Sequence, residues 1–180
     1  MPEVQIRPAE IADLPYIVKI EHSYQSLYVW QMDRQIEDGQ IVVNFRQTRL
    51  PRALRVSYAG SHPLLNEENW SRYQAVLVAA IDQIPVGYIG ISDKFAQKTL
   101  WVIDCAVRED LRRKGIGTAL ILAAQEWGAE HGFRKVILEM QSKNHPAIQL
   151  AKKLGYEFCG YNDHYFPNQD IAVFFSRSLR

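Results

Sequence analysis

The sequence is short of several features that define common protein classes. It has 2 cysteines among 180 residues, and 21 basic residues nearly balance 20 acidic ones, for a formal net charge of +1. So few cysteines, without metal-ligand or secretory spacing, exclude a disulfide-rich scaffold. The balanced charge creates no overall field that would attract nucleic acid or an anionic membrane. We therefore expect neither of them as a partner.

Long apolar runs are also missing. No stretch approaches the roughly 20 consecutive apolar residues of a membrane-spanning helix, and no basic segment followed by an apolar core opens the chain. We interpret residues 1–180 as a single cytoplasmic domain, with Cys105 and Cys159 as buried, reduced thiols. The 5 histidines show no metal-ligand spacing, so no metal site is predicted.

The first part of the chain carries mixed signals. Residues 4–7 predict a short strand, and Asp13 followed by Leu14 and Pro15 predicts a helix with Asp13 as its N-cap. Residues 24–36 are a candidate second helix. Two strand-like pieces and a loop follow, at residues 41–45, 53–58 and 60–63.

From residue 74 onward the pattern is clearer. Three β-rich runs separated by turn residues predict an antiparallel meander, and apolar residues then recur at helical spacing until Gly132. The runs cover residues 75–81, 86–91 and 100–107, and the helix covers 117–131. A strand at 136–140, a helix at 144–154 and strands at 156–161 and 171–176 complete the series. We expect an α/β domain with a mixed sheet.

The most informative segment lies where the third β-rich run ends. Val107 is followed by three cations at residues 112–114 and then by Gly115 and Gly117, which open the long helix. The start of a helix offers unpaired backbone N–H groups and a partial positive charge, so it binds phosphate. Cations at that end oppose the helix dipole unless an anion lies between them. The segment therefore predicts a pyrophosphate site.

The segment differs from two familiar phosphate-binding motifs. The sequence contains no Gly-x-x-x-x-Gly-Lys-Ser/Thr run, which excludes a P-loop. The dinucleotide fingerprint is matched in part, because Gly115-x-Gly117 opens a helix and Glu139 lies near the expected ribose-binding offset. Leu120 stands where that fingerprint has its third glycine, and several antiparallel strands precede the segment. Binding of NAD is the alternative that this partial match leaves open.

Three motifs of the chain occur together in one known family. They are Arg112-x-x-Gly115-x-Gly117, the preceding Cys105-Ala106-Val107, and a helix that begins at Asn144 and ends at Leu154-Gly155-Tyr156. This combination resembles the acetyl-CoA-binding signature of the GNAT acetyltransferase superfamily. The opening residues 6–9 with Asp13 are similar to the first strand and helix of that family, whereas residues 24–73 match it weakly.

The resemblance implies a fold and a cosubstrate. The fold is a mixed, mostly antiparallel central sheet with flanking helices and a β-α-β-α core that binds acetyl-CoA. Backbone groups at the end of one strand would pair with the pantetheine arm, and the following loop would hold the pyrophosphate. The implied cofactor-binding residues are Cys105, Ala106, Val107, Arg112, Arg113, Lys114, Gly115, Ile116, Gly117, Thr118 and Asn144.

Acetyl transfer to an amine requires a base. Glu139 interrupts an apolar strand beside the expected cleft, and it matches the glutamate of relatives that resemble ribosomal-protein alanine N-acetyltransferases. The alternative for Glu139 is an ion pair with Lys135 or Lys143. Asp104 is a second candidate base, and its alternative is a hydrogen bond to a loop.

The general acid is where the sequence departs from its relatives. Many of them carry a tyrosine in Leu-Tyr-x-x-Leu-Gly, and the matching position here is Ala151. Tyr165 or Tyr161 could replace that tyrosine, with burial in the core as the alternative for both. Solvent could also protonate the thiolate, because the pKa of a thiol, about 8.5, makes this step undemanding.

The sequence gives less information about the acceptor substrate than about the cosubstrate. Five aromatic residues of the weakly matched segment could wall an acceptor pocket or belong to the core: Tyr24, Tyr28, Trp30, Trp70 and Tyr73. Residues 163–172 resemble the closing segment of relatives that act on protein N-termini or on streptothricin-like antibiotics. We expect transfer of acetyl from acetyl-CoA to a primary amine of a small molecule or peptide by direct attack. A non-catalytic CoA-binding module is the alternative, and a homodimer is a further expectation from the resemblance.

Overall fold

The computed structural model describes residues 3–57 and 65–179. Seven of the strands in these residues form one sheet in the order β1-β4-β5-β6-β7-β9-β8, and β2 pairs with β3 in a separate ribbon. The strands are β1 (Gln5–Pro8), β2 (Tyr24–Glu37), β3 (Gln40–Val56), β4 (Ala75–Ile81), β5 (Ile84–Ser92), β6 (Thr99–Val107), β7 (Lys135–Gln141), β8 (Glu157–Asn162) and β9 (Ala172–Ser178). The α-helices are α1 (Leu14–Ile17), α2 (Ile116–Glu130) and α3 (His145–Lys153).

The strand directions match the predicted mixed sheet. The strands β4, β5 and β6 form the expected antiparallel meander, and β7, β9 and β8 are also antiparallel, whereas β6 and β7 run parallel. Parallel neighbours need a crossover connection, and α2 supplies it. Since α3 follows β7 directly, the predicted β-α-β-α core is confirmed.

The sheet has an apolar cluster on each face. Leu77 and Ala79 of β4 belong to the cluster that includes residues of α2 and α3, whereas Val76 and Val78 belong to the cluster that includes residues of α1. Side chains alternate between the two faces of a strand, so β4 is covered on both. Burial of both faces explains why β4 is almost continuously apolar. No helix among the described residues combines the length and apolarity needed to cross a membrane.

The parallel pair β6 and β7 does not stay paired to its end. Their register runs from Thr99 opposite Lys135 to Val102 opposite Leu138 and then stops. On the other side of β6, Gly90 is opposite Asp104 and Ile91 is opposite Val102, so one residue of β6 is extra. Such a β-bulge bends its strand and re-aims its side chains. The last residues of β6 and β7 therefore border an opening in the sheet.

The prediction for residues 24–36 is wrong, because they form a strand instead of a helix. Strand β2 pairs with β3 as far as Glu37 opposite Gln40, so the turn consists of Asp38 and Gly39. Asp-Gly is a strong signal for a two-residue hairpin, and Gly39 has the required positive φ of 79°. Residues 41–45 and 53–56 of the two predicted strand-like pieces belong to the single strand β3. Residue 58 and the predicted loop at residues 60–63 lie outside the described residues.

The ribbon formed by β2 and β3 packs against the end of the sheet that contains β7 and β8. The backbone N–H of Trp30 donates to the carbonyl of Ser142 at 2.9 Å, immediately after β7. The ring of Phe45 lies 5.4 Å from the rings of Phe158 and Tyr161, measured between centroids. These contacts place the start of the ribbon beside the opening between β6 and β7.

Asp13 precedes α1 as predicted, but its side chain does not cap that helix. Its carboxylate accepts two hydrogen bonds from the Arg7 guanidinium, at 2.7 and 2.8 Å, and a third from the backbone N–H of Glu10 at 2.8 Å. The hydrogen bonds from Arg7 lower the pKa of Asp13 despite its burial. Asp13 is therefore an ionised carboxylate, and its hydrogen bonds connect β1 to the first helical turn.

Replacement of this carboxylate should have a pH-dependent effect on stability. We expect D13N to lower the free energy of unfolding at pH 7 by about 1–3 kcal/mol, the range for hydrogen bonds to charged groups. A lowered carboxyl pKa stabilises the fold above the unfolded-state pKa of about 3.9, and this contribution is lost as the pH falls through the lower folded-state value. The difference between D13N and wild type should therefore shrink below about pH 4.

Urea unfolding of both proteins at pH 7 and at acidic pH measures this difference. D110N is the matched control, because Asp110 accepts a similar two-point bond from Arg108 but both side chains are exposed. It should change stability little at either pH. A D13N effect that is equal at both pH values would contradict the assignment of Asp13 as a buried ion.

Candidate functional site

A cavity of about 490 Å³ occupies the opening between β6 and β7. At one end it is bordered by Arg113, Gly117 and Lys153, which belong to the loop before α2, to α2 itself and to α3. At the other end it reaches His22, beside β2, and Phe166, in the loop between β8 and β9. This cleft therefore joins a basic end to an end covered by the ribbon.

The basic end has the backbone geometry of an anion site. Gly115 is the N-cap of α2 with a φ of 89°, and Arg113, two residues earlier, has a φ of 65°. These left-handed residues turn the chain sharply into the helix, whose first N–H groups have no acceptor within it. A Cβ atom at Gly117 would lie 3.6 Å from the side chain of Leu150, an ordinary contact. Gly115 and Gly117 both line the cleft, so the start of α2 borders the cavity.

The predicted cofactor residues lie at or near this end of the cleft. Most of them line it: Cys105, Ala106, Val107, Arg112, Arg113, Gly115, Gly117, Thr118 and Asn144. The side chain of Ile116 is buried in the core, so its backbone is the part that could meet an anion. The ammonium group of Lys114 donates to the carbonyl of Asp110 at 3.0 Å and is exposed.

Arg112 makes contacts that the sequence did not indicate. Its guanidinium donates to the carbonyl of Val107 at 2.9 Å, to that of Ser23 at 2.6 Å, and to that of Glu21. Hydrogen bonds from a charged donor are among the stronger ones in proteins. Arg112 thus fastens the segment before β2 to the end of β6, and its role toward a phosphate stays a prediction.

Both cysteines are exposed, so the prediction of buried thiols is wrong. Cys159 lies on β8, next to the register shift in its pairing with β9. Cys105 lies on the part of β6 that has left β7, and its side chain lines the cleft. The surrounding protein and the charge of Asp104 raise the pKa of the Cys105 thiol.

Asn144 caps α3 as predicted. Its side-chain oxygen accepts a hydrogen bond from the backbone N–H of Ala147 at 3.1 Å, and Pro146 occupies the first turn. Asn144 also lines the cleft, so the cap and a ligand contact are compatible. Ala151, on the same helix, is fully buried in the core and brings no hydroxyl group to the cleft.

Glu139 lies on β7 just beyond its last pair with β6. It is half-buried and lines the cleft. The hydroxyl of Tyr165 donates to its carboxylate at 3.0 Å, so two of the predicted catalytic residues are in contact. Lys143, one of the cations considered as a partner of Glu139, instead pairs with Asp170. Tyr161 packs against Phe45 of the ribbon.

Asp104, the third predicted catalytic residue, belongs to a buried polar cluster. It is 5% exposed, and its Oδ2 accepts a hydrogen bond from the hydroxyl of Tyr88. The Nε2 atom of His22 lies 2.8 Å from that hydroxyl and 3.4 Å from Asp104 Oδ1. His22 and Asp104 both line the cleft. Neither His22 nor Tyr88 was a candidate from the sequence, because the cluster joins residues far apart in the chain.

Of the five aromatic residues considered as pocket walls, Tyr24 is the one that lines the cleft. Its hydroxyl donates to Gln141 at 2.7 Å, and burial raises its pKa well above the ordinary value. Tyr28 lies against the ring of His145, and Trp30 donates a hydrogen bond to the same ring. The other two, Trp70 and Tyr73, pack against the core on the α1 side of the sheet. No cluster of potential metal ligands occurs in the described parts of the chain.

Comparisons with known proteins agree with this geometry. Residues 44–156 match the family described as Acetyltransferase (GNAT) family. An N-alpha-acetyltransferase from Sulfurisphaera tokodaii is 36% identical over 124 residues, which are 62% of this chain and 74% of the relative. The crystal structure of nourseothricin acetyltransferase gives a TM-score of 0.82 at 21% identity, over 98% of this chain and 99% of that chain. A candidate streptothricin acetyltransferase from Bacillus anthracis, solved with acetyl coenzyme A, gives 0.79 at 20% identity, over 99% of each chain.

A negative charge at the start of α2 should oppose a pyrophosphate there. Because a side chain at Gly117 meets no backbone and needs no unusual φ, G117E should fold. We expect it to weaken acetyl-CoA binding at least about tenfold, or about 1.4 kcal/mol, through repulsion of the phosphates. G117Q has nearly the same shape without the charge and should lose less.

Isothermal titration calorimetry with acetyl-CoA compares both variants with wild type. Equal affinities for G117E and G117Q would show that charge at this position does not matter. Unchanged affinity in both would place the pyrophosphate elsewhere.

Proposed function

The chain belongs to the GNAT acetyltransferase family, and we propose that it acetylates a primary amine in the cleft between β6 and β7, with Glu139 as the general base. Acetyl-CoA is the cosubstrate of this N-acetyltransferase. The proposal rests on one observation: the same cleft holds a helix start flanked by cations at one end and the carboxylate of Glu139 toward the other. A thioester and an amine could meet between them.

The chain's own residues would perform three tasks. Acetyl-CoA supplies an acetyl group already activated as a thioester. The loop from Arg113 to Thr118 would hold the pyrophosphate with charge-assisted hydrogen bonds. Backbone groups between Cys105 and Val107, on the part of β6 that is no longer paired with β7, would orient the pantetheine arm. Glu139 would accept a proton from the acceptor ammonium, because a protonated amine has no electron pair with which to attack.

Tyr165 has a defined place in this proposal. Its hydroxyl donates to Glu139, so it would hold the carboxylate in one orientation toward the amine. We assign it this positioning role in preference to that of general acid. With Ala151 in place of the usual tyrosine, solvent would protonate the departing thiolate, which is a weak enough base to need little help.

The acceptor is proposed at the level of its chemical class. The two carboxylates that line the cleft, Glu139 and Asp104, favour a cationic primary amine. The N-terminus of a peptide and the side-chain amine of a streptothricin-like antibiotic both have this chemistry, and relatives named for each of them are similar to this chain. A single domain over residues 1–180, a cytoplasmic location and a homodimer are parts of the same proposal.

A non-catalytic CoA-binding module is the second candidate. The observation that favours it is the buried methyl group of Ala151 at the place of the relatives' general acid. The two candidates differ in turnover. Release of CoA thiol in the presence of polyamines, aminoglycosides, streptothricin or N-terminal peptides would support the enzyme, and CoA binding without turnover on this panel would support the module. Tighter binding of NAD than of acetyl-CoA would contradict both.

Glu139 should matter for catalysis and little for cofactor affinity. We expect E139Q to lower kcat roughly 10²-fold or more, the usual size of a general-base contribution. Its Kd for acetyl-CoA should stay near the wild-type value, because Glu139 belongs to β7 and not to the loop that would hold the pyrophosphate. E157Q is the control, since Glu157 is an exposed glutamate on β8. Steady-state thiol release across pH 6 to 9 is the measurement. A pH–rate profile of E139Q that matches wild type would assign the base to another residue.

A further inference from the structure

We propose that His22 is a second proton acceptor for the acceptor nitrogen, with Asp104 and Tyr88 as its positioning residues. This inference rests on the proposed function. The nitrogen of an ammonium acceptor must lose two protons before it becomes an amide nitrogen. The C–N bond forms, the C–S bond breaks, the thiolate takes one proton from solvent, and two protons leave the nitrogen. Glu139 accepts one of them, and His22 accepts the other.

The first argument is the location of His22. It lines the same cleft as Glu139 but comes from the segment before β2, on the side of the sheet covered by α1. The β-bulge in β6 turns Asp104 toward this side, where it meets Tyr88 of the neighbouring strand. Two proton-accepting groups therefore reach the cleft from different elements. Each of the two protons that leave the nitrogen then has an acceptor of its own in the cleft.

The second argument is the tautomer of the imidazole. The single hydroxyl proton of Tyr88 is used in its hydrogen bond to Asp104, so the Tyr88 oxygen can only accept from His22. The Nε2 atom of His22 must then carry a proton, which also points toward the Asp104 carboxylate. In a neutral ring this leaves the lone pair on Nδ1. A buried aspartate that selects the tautomer and stabilises the imidazolium is the arrangement of a histidine general base.

The third argument is the fixed backbone on both sides of His22. Arg112 donates to the carbonyls of Glu21 and Ser23, the two neighbours of His22. The backbone N–H of Ser23 donates to the Glu21 carboxylate at 2.9 Å, and Arg55 donates to the Ser23 hydroxyl at 2.8 Å. A base is effective when its orientation is set before the reaction. Since Arg112 also opens the loop of the anion site, this clamp ties His22 to the cofactor end of the cleft.

The charged and titratable groups around His22 come from several elements. Glu21 lies on the same segment, Tyr88 on β5, Asp104 on β6, and Arg112 in the loop before α2. Tyr73 is also near, since the charge of Asp104 helps burial to raise its pKa.

The test uses H22Q, whose amide nitrogen can still donate to Tyr88 but whose side chain is not basic. With an acceptor from the panel, we expect kcat to fall about tenfold or more, while the KM for acetyl-CoA stays within about twofold to threefold. H164Q is the matched control, because the side chain of His164 is 70% exposed and on another loop. In D104N, whose neutral amide keeps the volume of the carboxyl, kcat should also fall, because the imidazolium loses the neighbouring charge that stabilises it. An unchanged kcat in H22Q or in D104N would overturn the inference while turnover by wild type upholds the proposed function.

A second measurement does not depend on turnover. Nitrogen-15 NMR of the histidine rings reports which ring nitrogen carries the proton. We expect His22 to carry it on Nε2 in the protein without ligand, and this preference to weaken in Y88F. A proton on Nδ1 would overturn the positioning role of Tyr88 and Asp104 even in an active enzyme. Absence of turnover by wild type on every amine would overturn the proposed function and this inference together.

Discussion

The separation of β6 from β7 is the constraint on which the site depends. Parallel strands normally remain hydrogen-bonded along their shared length, but here the pairing stops after Val102. The bulge in β6 makes the separation possible, because it bends one strand while its other neighbour, β5, remains paired. Backbone groups that would otherwise bond across the sheet are left at the cleft, where a ligand can satisfy them. An unbroken sheet from this sequence would have a core but no cleft.

The two ends of the cleft are connected through Arg112. Its guanidinium joins the end of β6 to the carbonyls on both sides of His22. The cationic loop and the buried cluster of His22, Tyr88 and Asp104 thus share one support, although they meet different parts of a ligand. Because the donor in each of these three hydrogen bonds is charged, each contributes more than an ordinary backbone hydrogen bond. The position of His22 can therefore depend on Arg112, although the sequence analysis predicted Arg112 as a ligand of the pyrophosphate.

The elements that could be predicted from the sequence are those with short-range signals. The meander, α2 and α3 are predicted by apolar residues at strand or helix spacing and by turn residues such as Gly132. The cap at Asn144 is predicted because Pro146, a residue typical of a first helical turn, follows two positions later. The ribbon is not predicted, because the apolar residues of positions 24–36 fit a helix as well as a strand, and the Asp38-Gly39 turn that sets the register lies outside that segment. The contacts of His22 could not be predicted at all, because they depend on how distant strands align.

The absence of a hydroxyl at Ala151 agrees with a site whose difficult step lies at the amine. A thiolate is a good leaving group and water can protonate it, whereas an alkylammonium has a high pKa and stays protonated at neutral pH. Glu139 and Asp104, whose carboxylates accept hydrogen bonds from Tyr165 and Tyr88, both line the cleft. The proposed site thus has acceptor groups for the protons of an amine, and α3 can use position 151 for packing against the core.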